Sequence, residues 1–324
     1  MEELAVGTLR AGKGQKVSGF VQVEGTDFSL PVTLICGEKE GETVLISGGV
    51  HSAEYVGIQA AMELADELEP WMLRGNVVVI RLMNPTGFEH RTMSLVYEDG
   101  KNLNRVFPGS PLGTTAERIA YAVEEKFLRL ADYYIDLHCG DGYESLVPYV
   151  YYLGAAEPKV AKKSREMAEA VQVDYLVGSE SLSGGAYNRG GSMGIPGILL
   201  ERGQNGLWSR EEVEADKRDV KNVLRVLKIL EGPVESGEKK PAEVSPVIYE
   251  NAAADGCWYP EKQPGDVFQK GEVLGRIRDY FGKELQVCRA RQDGVILYET
   301  SSLCIMKDTP MVAYGYWKGK EEGA

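Results

Sequence analysis

Residues 43–57 read TVLISGGVHSAEYVG, and this stretch decides the fold. Val44, Leu45 and Ile46 make a short apolar run suited to a buried strand. Ser47, Gly48 and Gly49 make a turn of small residues, and from Tyr55 to Leu68 apolar residues recur at helical spacing. His51 and Glu54 fall between strand and helix, where both side chains can enter one crevice. Imidazole nitrogen and carboxylate oxygen are both good zinc ligands, and a hydrolytic zinc site commonly takes two histidines and one carboxylate and leaves a position for water. The stretch therefore asks for one more histidine. Alone, H-x-x-E is more often a surface or capping pattern than a metal site, so the rest of the chain has to decide.

Working outward, Asn76–Leu82 (NVVVIRL) is a nearly unbroken apolar run with β-branched residues, as in a strand covered on both faces. Strand, helix and strand in this order imply a parallel crossover. Upstream, Lys16–Cys36 holds two alternating runs that read as an edge hairpin. Downstream, Asp132–Leu137 (DYYIDL) is another strand, and it ends directly on His138, which supplies the third ligand. Between them lies MNPTGFEHRTMSLVYEDGKNLNRVFPG (83–109), a long polar segment whose aromatic and basic content argues for a functional loop, followed by a helix over Thr114–Leu130 with Thr114 or Thr115 as cap and Glu117 in its first turn. Val147–Leu153 reads as a strand, Ala156–Val171 as a helix, and the Gly-rich residues 181–197 as a loop without the spacing of a phosphate cradle. Pro196–Leu200 is a last short strand ending on Glu201, and Arg210–Leu230 is a strongly periodic helix.

Residues 231–246 (EGPVESGEKKPAEVSP) have the composition of a linker, and beyond them short β-rich runs alternate with turns. The expected architecture is an α/β domain over 1–232 with a mixed sheet flanked by helices, a linker over 233–246, and a small β barrel or sandwich over 247–324. The 324 residues suffice for a large core and a smaller companion domain. A formal net charge of -13 argues against nucleic acid and anionic membrane as partners. No apolar run is long enough to span a membrane, the amino terminus lacks the pattern of a signal peptide, and five scattered cysteines fit reduced thiols, all of which point to the cytoplasm.

In an open α/β sheet ligands bind beyond the carboxyl ends of strands, and those ends here deliver His51 with Glu54, the 84–105 loop, His138, and Glu201. Two imidazoles and a carboxylate leave zinc with positive charge and an open position, which acidifies water and polarises a carbonyl. Glu201, left over as a non-ligand, is the expected general base, unless it is only a strand-end charge paired with Arg202. Arg105 and Asn104 suit a substrate carboxylate. Arg91 could bind that carboxylate, stabilise an oxyanion, or equally serve a structural ion pair. His90 is the rival ligand but sits in a loop beside Arg91, and Cys139 is a packed small residue rather than a nucleophile, since no histidine is left to activate it.

The segments GGVHSAE, MNPTGFEHR, NLNRVFPG, DLH and GIPGILLERGQNG occur in the order found in the succinylglutamate desuccinylase/aspartoacylase family, a branch of the zinc carboxypeptidase superfamily. The chain resembles that family over most of residues 43–206. The resemblance implies one zinc ion per chain held by His51, Glu54 and His138, catalysis by Glu201, carboxylate binding by Asn104 and Arg105, and a carboxypeptidase-like domain followed by a lipoyl-like β domain bordering the active-site mouth. Arg91 matches the carboxypeptidase-like N-P-x-G-F-x-x-R placement better than the arginine of aspartoacylase. Two departures stand out: His51-Ser52-Ala53-Glu54 replaces H-G-x-E, and Asn102-Leu103-Asn104-Arg105 replaces D-L-N-R, removing a carboxylate that could orient its neighbours. The implied activity is removal of an acyl group from an N-acylated amino acid or related small carboxylate. Carboxypeptidase action on short peptides is the alternative, and a non-catalytic binding protein of the same fold a more distant one. The chemistry leaves room for a homo-oligomer.

Overall fold

The computed structural model describes residues 3–235, 237 and 240–317. Its centre is the crossover expected from the opening stretch. Strand Lys39–Gly48 leads into helix Tyr55–Glu67 and returns as strand Arg74–Ile80, with Val44 opposite Val77 in parallel register. Strand Tyr133–His138 pairs with Lys39–Gly48 on its other side, and Gly197–Glu201 lies parallel to Tyr133–His138. On the opposite side, the Lys16–Gln22 and Ser29–Cys36 hairpin pairs with Arg74–Ile80 and closes the sheet's edge.

Both faces of the sheet are covered, which explains the unbroken apolar runs. Val78 and Ile80 pack into one cluster with Ile119, Ala120 and Val123 of helix Thr115–Lys126. Their neighbours Val77 and Val79 pack into the opposite cluster, with Leu64 of helix Tyr55–Glu67 and Val220 and Leu224 of helix Arg210–Val226. Burial of such side chains contributes roughly 1.5–3 kcal/mol each.

Beyond Gly197–Glu201 the sheet continues through Tyr149–Tyr152 and Tyr175–Gly178. The Tyr175–Gly178 strand was not anticipated, because only four residues long and flanked by polar loops it gives too short a pattern to separate from a turn. Residues 181–197, expected to be loop throughout, contain helix Ala186–Ser192. Its glycines oppose helix formation by propensity, but a Cβ at Gly191 would come within 2.6 Å of Leu153 Cδ2, so the missing side chain lets the helix lie against the sheet. Tertiary packing overrides propensity here. The long 83–109 segment likewise holds a short helix, Pro85–His90, and a 3₁₀ turn, Leu103–Arg105.

From Ala242 onward the residues expected as linker form strand Ala242–Asn251, which pairs in parallel with Tyr175–Gly178 and antiparallel with Pro310–Trp317. One strand therefore belongs to both halves, and the large sheet runs unbroken into the carboxyl-terminal region. There it faces a four-stranded antiparallel sheet across a core that includes Trp258, Phe268, Ile277 and Tyr314, in line with the all-β character expected of this region.

Candidate active site

Three strand ends meet at one place. Tyr133–His138 lies between Lys39–Gly48 and Gly197–Glu201, and Glu201 is directly opposite His138 in the parallel ladder. Helix Tyr55–Glu67 can start close to this sheet because residue 57 is glycine: a Cβ there would come within 2.8 Å of the Leu137 carbonyl oxygen. That close approach delivers Glu54, the residue capping the helix, to His138.

The ligand atoms of His51, Glu54 and His138 all lie within 4.8 Å of one another. Glu54 Oε1 is 2.7 Å from His51 Nδ1, and Glu54 Oε2 is 3.0 Å from His138 Nδ1. Glu54 and His138 are buried, and Glu54 Oε2 has no hydrogen-bond partner. A buried carboxylate set between two imidazole nitrogens, with one oxygen lacking a donor, fits a cation in a His-Glu-His donor set. Burial pushes the Glu54 carboxyl up, but the two histidines outweigh it and hold the group near 2. Burial likewise works against charge on His138, yet Glu54 and Asp136 raise its pKa well above the usual imidazole range. The pocket thus concentrates negative potential where a cation would sit.

Each histidine is aimed from behind. Asp136 Oδ2 lies 3.3 Å from His138 Nε2, a charge contact without hydrogen-bond geometry, and Asp136 Oδ1 accepts from Ser47 Oγ at 2.7 Å. On the other side Asn102 Oδ1 lies 3.1 Å from His51 Nε2 and accepts the Asn104 backbone N–H at 2.9 Å. Because that N–H can only donate, it fixes which end of the amide faces His51, so Nε2 of His51 must carry the proton and Nδ1 is left as the free ligand atom. Asn102 therefore does the orienting that the missing aspartate suggested had been lost. Ser52, also a departure, ties the 49–54 loop to the 83–109 segment, its hydroxyl donating to Met93 O at 2.5 Å beside the backbone N–H at 2.8 Å.

Glu201 borders a cavity of about 480 Å³ that also exposes His51, Glu54 and His138. Its neighbour Arg202 points elsewhere, donating to Asp219 Oδ2 at 2.6 Å and to Gln172 O at 3.0 Å. The strand-end ion pair considered for Glu201 is therefore absent among the described residues. Burial pushes the Glu201 carboxyl well up; His138 opposes this, while Glu54, Glu144 and Asp136 add to it. A carboxyl that holds a proton readily suits a group that must accept one and give it back.

Asn104 and Arg105 both line the cavity, Asn104 buried and held by the Ala186 backbone N–H (2.9 Å to Oδ1), Arg105 exposed with its Nη1 on Asn104 O at 2.9 Å. Arg91 lies apart: it caps helix Pro85–His90 in a left-handed conformation (φ 57°), and its exposed side chain is not among the cavity-lining residues. His90 stacks on Tyr97 with ring centroids 3.6 Å apart, outside the group of His51, Glu54 and His138. Cys139 is buried, and burial followed by the Glu54 charge pushes its thiol well up, which leaves it inert.

Sequence reasoning missed the far wall. Glu144, Tyr149 and Tyr151 reach the cavity from the amino-terminal half, Tyr249 and Tyr298 from the carboxyl-terminal half. The Tyr151 and Tyr249 hydroxyls are 3.0 Å apart, while Glu144 and Tyr298 line the same cavity. Burial, then Asp141 and Glu54, lift the Glu144 carboxyl to about 7. The tyrosine-rich run Tyr149–Tyr152 was the one available signal, since buried hydroxyls need partners.

Known proteins share this fold. Residues 40–227 match the model of the succinylglutamate desuccinylase/aspartoacylase catalytic domain. The chain is 28% identical over 284 residues to an N-alpha-acetyl-L-2,4-diaminobutyric acid deacetylase of Halomonas elongata, covering 82% of this chain and 80% of that one. Among solved structures, a succinylglutamate desuccinylase from Silicibacter sp. TM1040 has the same fold (TM-score 0.85, 22% identity, 96% of this chain and 98% of that one). So does the product-bound ectoine utilization protein of Ruegeria pomeroyi (TM-score 0.85, 24% identity, 95% and 98%).

Proposed function

This chain belongs to the succinylglutamate desuccinylase/aspartoacylase family, and from that premise we propose that it is a zinc-dependent hydrolase removing the acyl group from an N-acylated amino acid. The observation that carries the reading is the convergence of His51, Glu54 and His138 beside an unpaired Glu201, above a cavity that also holds Asn104 and Arg105. One zinc ion, held by the three ligands, would supply an acidified water and a charge that polarises the amide carbonyl.

The protein groups do the rest. Arg105 binds the substrate carboxylate with its guanidinium fork and Asn104 adds an amide donor, which fixes the scissile amide over the histidines. Glu201 takes the proton from the attacking water and returns it to the leaving nitrogen, so one carboxyl serves as base and then as acid. Asp136 and Asn102 keep Nδ1 of each histidine free. Arg91, exposed and outside the cavity wall, reaches substrate only if its loop rearranges. No helix among the described residues is long and apolar enough to cross a membrane; the acidic surface and reduced thiols fit the cytoplasm.

A panel of N-acyl amino acids and short peptides, assayed with zinc-loaded protein, tests the reading. Turnover of N-acyl amino acids is expected. Turnover of peptides alone would replace it with carboxypeptidase action, and zinc binding without any turnover would leave a binding protein.

A further inference from the structure

The five cysteines are scattered along the chain, but the fold sets two of them against each other. Strand Gly256–Pro260 pairs antiparallel with Cys304–Ile305 at one edge of the four-stranded sheet, and in that ladder Cys257 stands directly opposite Cys304. The next pair along fixes the type of position. The Trp258 N–H donates to Leu303 O at 2.8 Å. Hydrogen-bonded and non-hydrogen-bonded pairs alternate along an antiparallel ladder, so Cys257 and Cys304 form a non-hydrogen-bonded pair, the closer kind, with Cα atoms about 4.5 Å apart. A disulfide spans Cα separations of about 4.4–6.8 Å, so this position admits the bond without moving either strand.

Both side chains also lie on the outer face of the sheet. Opposite residues in a ladder project to the same side and their chain neighbours to the other. Those neighbours, Trp258 and Ile305, are buried in the core between the sheets. Cys257 is accordingly half-buried and Cys304 exposed, and both thiols are free. The other three cysteines offer no rival. Cys36, Cys139 and Cys288 are buried, and burial is the first cause that raises each thiol, to about 12 for Cys288.

The segment that ends on Cys304 also reaches the cavity. It carries Tyr298, and just beyond it the Ser301 N–H and Thr300 Oγ1 both donate to Tyr143 O, at 2.8 and 3.2 Å, while Ser301 Oγ donates to Asn205 Oδ1. Thr300 and Ser301 thus clasp the loop after His138 to the loop after Glu201. Past this clasp the segment is attached to the small sheet only through the two-residue strand Cys304–Ile305.

We propose that Cys257 and Cys304 are a redox modification site, closing to a reversible disulfide that staples this edge strand, and the segment behind it, to the small sheet. The oxidant is a low-molecular-weight disulfide such as oxidised glutathione. The Cys304 sulfur attacks one sulfur of the oxidant, forming a mixed disulfide and releasing one small thiol. The Cys257 sulfur then attacks the Cys304 sulfur, closing the protein bond and releasing the second. Two protein thiols are oxidised, one small disulfide is reduced, and the two protons pass to the released thiols. In a reducing compartment the pair rests as the dithiol, and an exposed disulfide is of the kind that excess thiol reopens.

The test equilibrates the purified full-length protein with oxidised glutathione, alkylates the remaining thiols and digests with trypsin. Lysines and arginines from Lys262 to Arg291 place Cys257, Cys288 and Cys304 on different fragments. The Cys257 and Cys304 fragments are expected joined in most chains and separate after dithiothreitol, with the protein monomeric on a non-reducing denaturing gel. The oxidised protein should unfold at a higher urea midpoint than the reduced one, because the bond restrains the unfolded chain. That difference should vanish in Cys257→Ser and in Cys304→Ser. Fragments that stay separate, a glutathione adduct that persists on Cys304, or a bond between two chains overturns the proposal. A midpoint that oxidation leaves unchanged does the same for the staple.

Discussion

The floor of the cavity and its far wall are built by different rules. The floor comes from neighbouring strand ends: His138 and Glu201 are ladder partners, and Glu54 is brought in by a helix resting on Leu137 through Gly57. Its positions follow from backbone register, so small changes there are felt at the reacting atoms. The wall is assembled from side chains of distant segments, Tyr151 and Glu144 with Tyr249 and Tyr298, and the Tyr151 and Tyr249 hydroxyls meet across the two halves. Floor residues should therefore control metal and rate, and wall residues should control which substrate binds.

The largest effect expected on the floor is that of Glu201→Gln. It should lower kcat by about 10²–10⁴-fold, the range for loss of a positioned acid–base group, while zinc content stays unchanged. Steady-state rates with metal analysis check both halves of that statement; an unaltered kcat removes Glu201 from the chemistry.

On the wall, strand Gly294–Thr300 carries Tyr298 toward the cavity and buries Glu299, whose carboxyl is raised by burial, then by Asp266, from 4.5 to about 7. A carboxyl raised in the folded state favours the fold fully below about pH 4.5 and loses that contribution as pH rises through about 7. Glu299→Gln should therefore stabilise the protein by up to about 3 kcal/mol at pH 8 and progressively less toward pH 5. Urea unfolding at the two pH values measures this, and equal gains at both would rule out titration of Glu299 as the cause.

The two histidine supports sharpen the comparison within the floor. Asp136 gives His138 a charged support and Asn102 gives His51 a neutral one. Asp136→Asn should weaken zinc binding by about 10–100-fold, and Asn102→Asp should strengthen it, because a carboxylate makes the imidazole it accepts from a better donor. Chelator competition reads both without recourse to activity; affinity that ignores either change would mean the contacts do not tune the ligands. Smallest of all, Tyr249→Phe removes a single hydroxyl contact of 3.0 Å to Tyr151. It should raise KM by about two- to fivefold with kcat and zinc nearly unchanged; a fall in kcat with KM constant would move Tyr249 from wall to floor.

This division also explains what could be read from the chain. The crossover, the strand ending on His138 and the one ending on Glu201 were legible because each pairs an apolar run with a chemical residue at a fixed offset. The sheet, its flanking helices and the all-β character of the carboxyl-terminal region followed from the same periodicities. Strand Tyr175–Gly178 and helix Ala186–Ser192 were not legible, since four residues carry little pattern and Gly190 and Gly191 argue against a helix that packing nonetheless enforces. Nor was the wall, because nothing in sequence places Tyr249 beside Tyr151, 98 residues away. Asn102 was noticed as a departure, but only its 3.1 Å approach to His51 shows what the amide does there. Arg91 illustrates the converse: its spacing fits a pattern, yet a left-handed cap at φ 57° puts it on the loop surface.

The central claim is that His51, Glu54 and His138 form one zinc site. Its most direct test is the zinc content of purified protein equilibrated with the metal and freed of excess, measured beside His138→Ala. The account predicts about one zinc per chain, lost in the variant while its fold is retained. No zinc in the unaltered protein, or equal zinc in both, would contradict it.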